Sequence, residues 1–103
     1  MPKESVIRKK VIDKLEKDGG ICWFPAKVRY KKEIDIFGVW DVLSFFPKTS
    51  KFLFVQLTTA SNIRAREKKV GKWIEAHKIK KFPGEVWGLK KDNTFKIIKI
   101  CQQ

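Results

Sequence analysis

Three oxygen-bearing side chains interrupt two apolar stretches near the middle of the chain. Asp41 lies in the run at residues 40–45, and Gln56 and Thr58 lie in the run at residues 51–58. Side chains alternate faces along a strand, so Gln56 and Thr58 point to the same side if the second run is extended. A buried carboxylate, amide and hydroxyl cost free energy unless something pairs with them. Because a hard divalent cation prefers oxygen ligands, this spacing indicates a metal site.

Two strands and a short turn are the elements that must position these side chains. Both apolar runs are rich in aromatic and β-branched residues, which favour strands. Between them lie residues 47–50 (Pro-Lys-Thr-Ser), which are turn formers. We therefore predict a hairpin whose neighbouring strands carry the candidate ligands.

Hydrophobic periodicity predicts the elements around the hairpin. Apolar residues spaced by four indicate a helix over residues 4–17, which Gly19 and Gly20 end. A second apolar face indicates a helix after residue 60, with Ser61 or Asn62 as its cap. That face consists of Ile63, Val70, Trp73, Ile74 and His77. Further strands are predicted at residues 21–24, 85–89 and 95–101, with turns at 83–84 and 91–93.

The resulting order is one helix, three strands, a second helix and two strands. A helix between strands predicts a crossover connection, which makes the strand after it parallel to the central hairpin. The sheet is then mixed, with helices packed against its faces. With 103 residues, the chain is expected to form one α/β domain spanning residues 1–103.

The chain carries a large excess of positive charge. Its 24 Lys and Arg residues outnumber 11 Asp and Glu residues, which gives a formal net charge of +13. Self-repulsion at this charge destabilises a compact fold, so a polyanionic partner is expected, and nucleic acid is the commonest. A Lys-rich surface that serves only solubility is the alternative. The candidate contacts are Arg29, Lys31 and Lys32 with Tyr30 for base stacking, and Arg64, Arg66, Lys68 and Lys69 on the second helix.

The cysteines and the hydropathy indicate the compartment. Cys22 and Cys101 are far apart in sequence and form no CxxC motif, so free thiols in a reducing interior are expected, with a disulfide between them as the alternative. No apolar run approaches the roughly 20 residues that a membrane span needs. We expect a cytoplasmic protein with no membrane contact.

The order of elements and the polar positions together resemble the PD-(D/E)XK nuclease superfamily, which contains type II restriction enzymes and archaeal Holliday junction resolvases. The resemblance spans most of the chain, but its sequence-specific part is limited to residues 40–43 and 55–58. It implies a restriction endonuclease-like α-β-β-β-α-β-β sandwich with a mixed central sheet. It also implies hydrolysis of DNA phosphodiesters with Mg²⁺ or Mn²⁺.

The resemblance assigns a role to each of the candidate residues. Asp41 takes the place of the family's metal-binding aspartate, and Gln56 takes the second acidic position. The Leu57 carbonyl is the backbone ligand, and Thr58 occupies the position of the catalytic lysine. An acidic residue on the first helix often assists in this family, and Glu4 is the candidate here, with Glu16 as the alternative.

Two of these positions depart from the family pattern. Gln56 offers a neutral oxygen in place of a carboxylate, and Thr58 cannot supply the positive charge of a lysine. That charge would have to come from Arg64 or Lys68 on the following helix, or from Lys51 at the start of the strand. Asp35 would add a carboxylate from the preceding loop.

Three hypotheses follow from these observations. The first is a metal-dependent, resolvase-like endonuclease that works as a homodimer, because cutting two strands needs two sites. The second is a catalytically degenerate nuclease fold that binds nucleic acid without cutting it. The third is a basic structural protein whose partner is an acidic protein.

Overall fold

Among the described residues, five strands form one mixed sheet in the order β1-β2-β3-β4-β5, and two helices pack against it. The computed structural model describes residues 4–25 and 35–100. The elements are α1 (Glu4–Lys17), β1 (Ile21–Trp23), β2 (Val42–Phe46), β3 (Lys51–Thr59), a 3₁₀ turn (Ala60–Asn62), α2 (Ile63–Ala76), β4 (Gly84–Leu89) and β5 (Phe95–Ile100).

The pairing of the strands agrees with the predicted topology. β1 and β2 are antiparallel, as are β2 and β3, which form the predicted hairpin. β3 and β4 are parallel, so α2 is the crossover connection between them. β4 and β5 are antiparallel. The predicted α/β class with a mixed sheet is therefore confirmed for the part of the chain that the structure describes.

α1 covers one face of the sheet. Ile7, Val11 and Leu15 are buried on its inner side, because their spacing of four places them on one stripe. They pack against side chains of β2, β3 and β4, namely Val42, Val55, Leu57, Trp87 and Leu89. The helix ends as predicted at Gly19, whose φ of 92° suits glycine, and the Gly20 N–H donates to the Leu15 carbonyl at 2.9 Å.

α2 covers the opposite face of the sheet. Its buried residues Ile63 and Val70 form a second core with Val39, Trp40 and Val86. Alternation along β3 assigns its residues to the two cores, because Val55 and Leu57 face α1 whereas Phe54 faces α2. Gln56 and Thr58 have the same parity as Phe54, so their side chains lie on the α2 side.

Some boundaries differ from the predictions. β2 begins at Val42, since Trp40 pairs with Ile36 in an isolated bridge and Asp41 lies in a bend. Asn62, one of the two predicted candidates, is the N-cap residue of α2, but its side chain makes no cap hydrogen bond. Ser61 instead shares a hydrogen bond of 3.1 Å with Thr59. The preceding 3₁₀ turn leads the chain directly into the helix.

Neither helix in residues 4–25 and 35–100 is long and apolar enough to cross a membrane, as each has only 14 residues. Cys22 is a free thiol beside Ser44, at 3.5 Å, and partial burial raises the pKa of that thiol above its usual value. Cys101 lies outside the described residues.

Candidate functional site

The candidate site lies where the β2–β3 ladder ends. The last pair of the ladder is Val42 with Val55, and Asp41 comes directly before Val42, in a bend. Gln56 Nε2 donates to Asp41 Oδ2 at 2.7 Å. The Leu57 N–H donates to the same oxygen at 2.8 Å. The predicted convergence of Asp41 and Gln56 is therefore present in the structure.

A sharp reversal of the chain creates this end of the ladder. The Trp40 N–H donates to the Ile36 carbonyl at 2.9 Å, and the Ile36 N–H donates back to the Trp40 carbonyl at 2.7 Å. Phe37 and Gly38, between them, both have positive φ, of 55° and 75°. The segment after this turn consequently meets β3 at Asp41, whose N–H donates to the Val55 carbonyl at 2.8 Å.

The end of β2 leaves the backbone of Leu57 available to side chains. In a strand, the N–H and C=O of one residue point to the same neighbour, so those of Leu57 face the position where β2 has ended. The Asp41 carboxylate accepts from the N–H, and Gln56 Nε2 donates to the C=O at 3.2 Å. A carbonyl that no neighbouring strand uses is one that can become a ligand. The Leu57 carbonyl, which was predicted to be the backbone ligand, therefore lies beside the side chains of Asp41 and Gln56.

These groups are buried, and one of their atoms lacks a partner. Asp41 is 6% exposed, Gln56 2% and Thr58 7%. Among the described residues, Gln56 Oε1 is buried without a hydrogen bond. An amide presents oxygen and nitrogen at nearly equivalent positions, so a half-turn of this group exchanges them. That rotation would direct Oε1 toward the Asp41 carboxylate and the Leu57 carbonyl, which gives three oxygen ligands around one point.

The candidate ligand atoms are of the type that a hard divalent cation binds, but together they carry little negative charge. Carboxylate, carbonyl and amide oxygens are the ligands that Mg²⁺ and Mn²⁺ take, and Mg²⁺ usually keeps several waters beside one or two carboxylates. Within residues 4–25 and 35–100, no group of three or more His, Cys, Asp or Glu side chains comes together to hold a metal ion. A site here would therefore depend on Asp41 for its negative charge and on neutral oxygens for the rest.

The same geometry has a purely structural interpretation. A strand end that leaves a buried N–H and C=O without partners costs free energy, and Asp41 with Gln56 satisfies both groups of Leu57. In that interpretation Gln56 Nε2 is correctly placed as a donor, and no cation is needed. The two interpretations differ in what an added divalent cation does to the protein.

Basic residues of α2 lie on the same face of the sheet as Gln56, but two of them, Arg64 and Lys69, are paired with acidic side chains. Arg64 donates to Glu67 at 3.0 Å, and Lys69 lies 3.9 Å from Asp35. The predicted role of Asp35 as an added carboxylate thus competes with this ion pair. Arg66 is half-buried and Lys68 is exposed.

The remaining predicted residues lie elsewhere. Arg29, Tyr30, Lys31 and Lys32 fall outside the described residues. Glu4 begins α1, on the other face of the sheet, and its role stays a prediction. Lys51 precedes Thr58 by seven residues, which is about 23 Å along a strand, so Lys51 is too far away to supply the positive charge that Thr58 lacks.

Two features of β3 could not be predicted from the sequence. The Leu57 N–H anchors Asp41, and only the register of the hairpin reveals it. A cavity at the far end of β3, lined by aromatic and lysine side chains, was also not predicted. Phe46, Phe52 and Phe82 each fit a core pattern in sequence, so no local signal separates a cavity wall from a core.

Comparisons with known proteins give no relative from which a role could be taken. The chain matches no protein-family model. Neither the curated proteins nor the solved structures show a significant similarity to it.

Proposed function

We propose that the chain is a metal-dependent endonuclease of the PD-(D/E)XK type that hydrolyses DNA phosphodiesters in the cytoplasm. The observation that carries the proposal is the meeting of Asp41, Gln56 and the Leu57 carbonyl at the end of β3, with 2.7 Å between the side chains of the first two. The restriction endonuclease-like fold is part of the same proposal. It is supported by the element order and by the parallel β3–β4 pair.

Each residue of the site would have a separate role in binding the metal. Asp41, the Leu57 carbonyl and Gln56 Oε1 would hold Mg²⁺ or Mn²⁺. When bound, such a cation stabilises negative charge on the phosphate oxygens and lowers the pKa of a coordinated water. The Leu57 N–H fixes the Asp41 carboxylate before substrate arrives, because the bond is made from a rigid strand.

The other polar groups would orient water and phosphate. The Thr58 hydroxyl, on the same face as Gln56, can hydrogen-bond a water but cannot supply positive charge. Arg64, Lys68 and Lys72 are spaced by four on the exposed side of α2, so they form one basic stripe that suits a phosphate backbone. Glu67 neutralises part of it through Arg64.

A cleavage assay tests this proposal. Supercoiled plasmid and a branched DNA are incubated with the protein and Mg²⁺ or Mn²⁺, and the products are separated on a gel. We expect nicking that EDTA abolishes and that Asp41→Asn lowers by at least a hundredfold. Asp92→Asn makes the same chemical change in an exposed turn and should cut like the unaltered protein. Equal cutting by the Asp41 variant and the unaltered protein would refute the assignment.

A second candidate function is nucleic-acid binding without cutting, on a degenerate nuclease fold. The observation that favours it is that Gln56 Nε2 points at Asp41 and Leu57, which satisfies this end of the sheet without a cation. It predicts salt-sensitive DNA binding that EDTA leaves unchanged, with no cleavage at any divalent concentration.

Analytical ultracentrifugation with and without DNA tests the proposed homodimer.

A further inference from the structure

A cavity of about 550 Å³ opens at the other end of β3 from Asp41 and Gln56. Its volume is within the range of small-molecule sites. It lies between the first residues of β3 and the segment that leads into β4. Its walls are Phe46, Thr49, Lys51, Phe52, Leu53, Lys81, Phe82 and Pro83.

The cavity exists because β3 begins earlier than its parallel neighbour. The first β3–β4 pair is Phe54 with Gly84, and the Phe54 N–H donates to the Pro83 carbonyl at 2.8 Å. Residues 51–53 therefore have no described strand beside them on the β4 side. Phe52 has the same parity as Phe54, so its backbone N–H and C=O point into the open space.

Aromatic rings form two walls of this cavity. Phe82 is held in place, since its ring stacks on Trp40 at 5.3 Å and contacts Phe54 at 4.9 Å and Trp73 at 5.1 Å. Phe52 is 50% exposed, with its ring 4.7 Å from that of Phe45. An exposed ring on a rigid strand provides a flat apolar face for stacking.

The charge at the cavity has one sign. Lys51 and Lys81 are both exposed there, and none of the described residues that line the cavity is acidic. The two lining segments extend this pattern, since residues 42–66 and 76–84 contain no Asp or Glu. A ligand that combines a flat apolar group with negative charge matches this lining.

We propose that this cavity binds a nucleotide of a single-stranded nucleic-acid segment, with its base against Phe52 and its phosphates at Lys51 and Lys81. A base inside a duplex cannot offer its face, whereas an unpaired base can stack on an aromatic ring whatever its sequence. The inference rests on the proposed function for its nucleic-acid substrate and adds a structural requirement to it. The cavity and the candidate site lie at opposite ends of β3, so one strand can contact both.

Fluorescence anisotropy in EDTA tests the cavity separately from cleavage. The probes are a fluorescein-labelled oligothymidylate 12-mer and a labelled 12-base-pair duplex. We expect Phe52→Ala to weaken binding of the single strand about tenfold, the order of one lost base stack, and to change duplex binding less than twofold. Ile97→Ala, which truncates an exposed apolar residue of β5, is the control and should change neither.

The lysines are tested as a pair against a charge-matched control. Lys51→Ser with Lys81→Ser should reduce the salt dependence of single-strand binding by a slope of about 1.4, which corresponds to two lost phosphate contacts. Lys91→Ser with Lys96→Ser removes the same charge at the opposite end of the β4–β5 hairpin and should reduce the slope less.

Different results separate this inference from the proposed function. A protein that never cuts DNA but loses single-strand affinity with these variants supports the cavity and refutes the nuclease. Equal effects of the cavity and control variants would overturn the cavity assignment, and so would tighter binding of a fluorescein-labelled acidic peptide than of the oligothymidylate. In the latter case the open edge of β3 is a peptide site.

Discussion

At the residue scale, the identity of position 56 decides how the site behaves without a cation. A glutamine beside Asp41 can donate a hydrogen bond to it, as Nε2 does at 2.7 Å. A glutamate at the same place would set two buried carboxylates against each other, and one of them would resist ionisation. Gln56 therefore keeps the end of the sheet stable in the absence of metal, and it lowers the negative charge available to a cation.

The Gln56→Glu variant tests how glutamine and glutamate at this position affect stability without a cation. In EDTA at pH 7 we expect it to lower the free energy of unfolding by about 2 kcal/mol, because a hydrogen-bonded pair becomes a repelling pair. The repulsion raises a carboxyl pKa in the folded state, so this destabilisation should shrink as the pH falls from 7 toward 5. Millimolar Mn²⁺ should restore the thermal midpoint, which calorimetry with and without Mn²⁺ measures.

The control for this variant is Asn62→Asp, which makes the same amide-to-carboxylate change at an exposed position. Its thermal midpoint should not depend on Mn²⁺. If Gln56→Glu is destabilised equally in EDTA and in Mn²⁺, no cation binds between positions 41 and 56. Asp41 and Gln56 then serve only to complete the sheet.

Much of the residue-scale geometry could be predicted from spacing. The period of two predicted Gln56 and Thr58 on one face, and the pairing of the two apolar runs predicted Asp41 near Gln56, where the structure has it. Sequence could not predict which amide atom of Gln56 faces Asp41, since that depends on donors such as the Leu57 N–H. Nor could it predict the pairing of Lys69 with Asp35, which depends on how α2 lies over the sheet.

At the scale of elements, a glycine holds the start of β4 against the second core. A Cβ built on Gly84 would lie against the ring of Trp40, 2.9 Å from Cζ2, and Trp40 is fully buried. We expect Gly84→Ala to lower the free energy of unfolding by about 2 to 3 kcal/mol through overpacking. Gly71→Ala, in the middle of α2 with open space around its Cβ, should raise it by about 0.5 to 1 kcal/mol.

Urea denaturation at pH 7 measures both glycine variants under the same conditions. Each of the two substitutions adds one methyl group. The comparison therefore separates the effect of close packing on stability from the effect of the backbone preference of glycine. Should Gly84→Ala be neutral, β4 does not lie against Trp40 as the structure places it. The arrangement of the second core would then need revision.

The β4–β5 turn supplies a prediction about pH. The Thr94 hydroxyl and N–H donate to Asp92 Oδ1 at 2.6 and 3.0 Å, and these bonds hold the pKa of Asp92 below its usual value. The stability that this carboxylate contributes is present above the unfolded pKa and is lost as the pH falls through the folded one. The difference in unfolding free energy between the unaltered protein and Asp92→Asn should therefore decrease below about pH 4.

Denaturation in urea from pH 2 to 6 measures that difference. Thr94→Val removes the hydroxyl donor and should weaken the pH dependence without abolishing it, because the backbone N–H remains. A difference between the unaltered protein and Asp92→Asn that stays constant over this range would show that Asp92 is not bonded in this way.

Elements were predictable where periodicity and end signals agree. α1 combines a stripe spaced by four with two glycines, and its bounds were predicted as Glu4–Lys17. The start of β2 could not be predicted, since Trp40 is as typical of a strand as Val42. Only the turn at residues 36–40 keeps Trp40 out of the strand. The cavity arises from the stagger between β3 and β4, which depends on where a crossover returns to the sheet.

At the scale of the whole molecule, charge is distributed unevenly along the chain. The net charge is +13, and residues 42–66 and 76–84 contain no Asp or Glu. The first of these stretches runs from the candidate site through the cavity to the start of α2. A polyanion bound at these residues would relieve part of the self-repulsion that the positive charge imposes on the isolated protein.

Repulsion between the positive charges should lower the thermal stability of the isolated protein, and salt or a bound polyanion should restore it. We expect the thermal midpoint in buffer at pH 7 to rise as NaCl is increased from 20 to 300 mM, because salt screens the positive charges. At 20 mM NaCl, a single-stranded DNA 12-mer should raise the midpoint more than polyglutamate of equal charge does, since polyglutamate has no bases to stack. Both effects should fade near 500 mM NaCl, where counterion release no longer favours binding. A larger stabilisation by polyglutamate at every salt concentration would favour an acidic protein as the partner, because charge alone would then account for the +13.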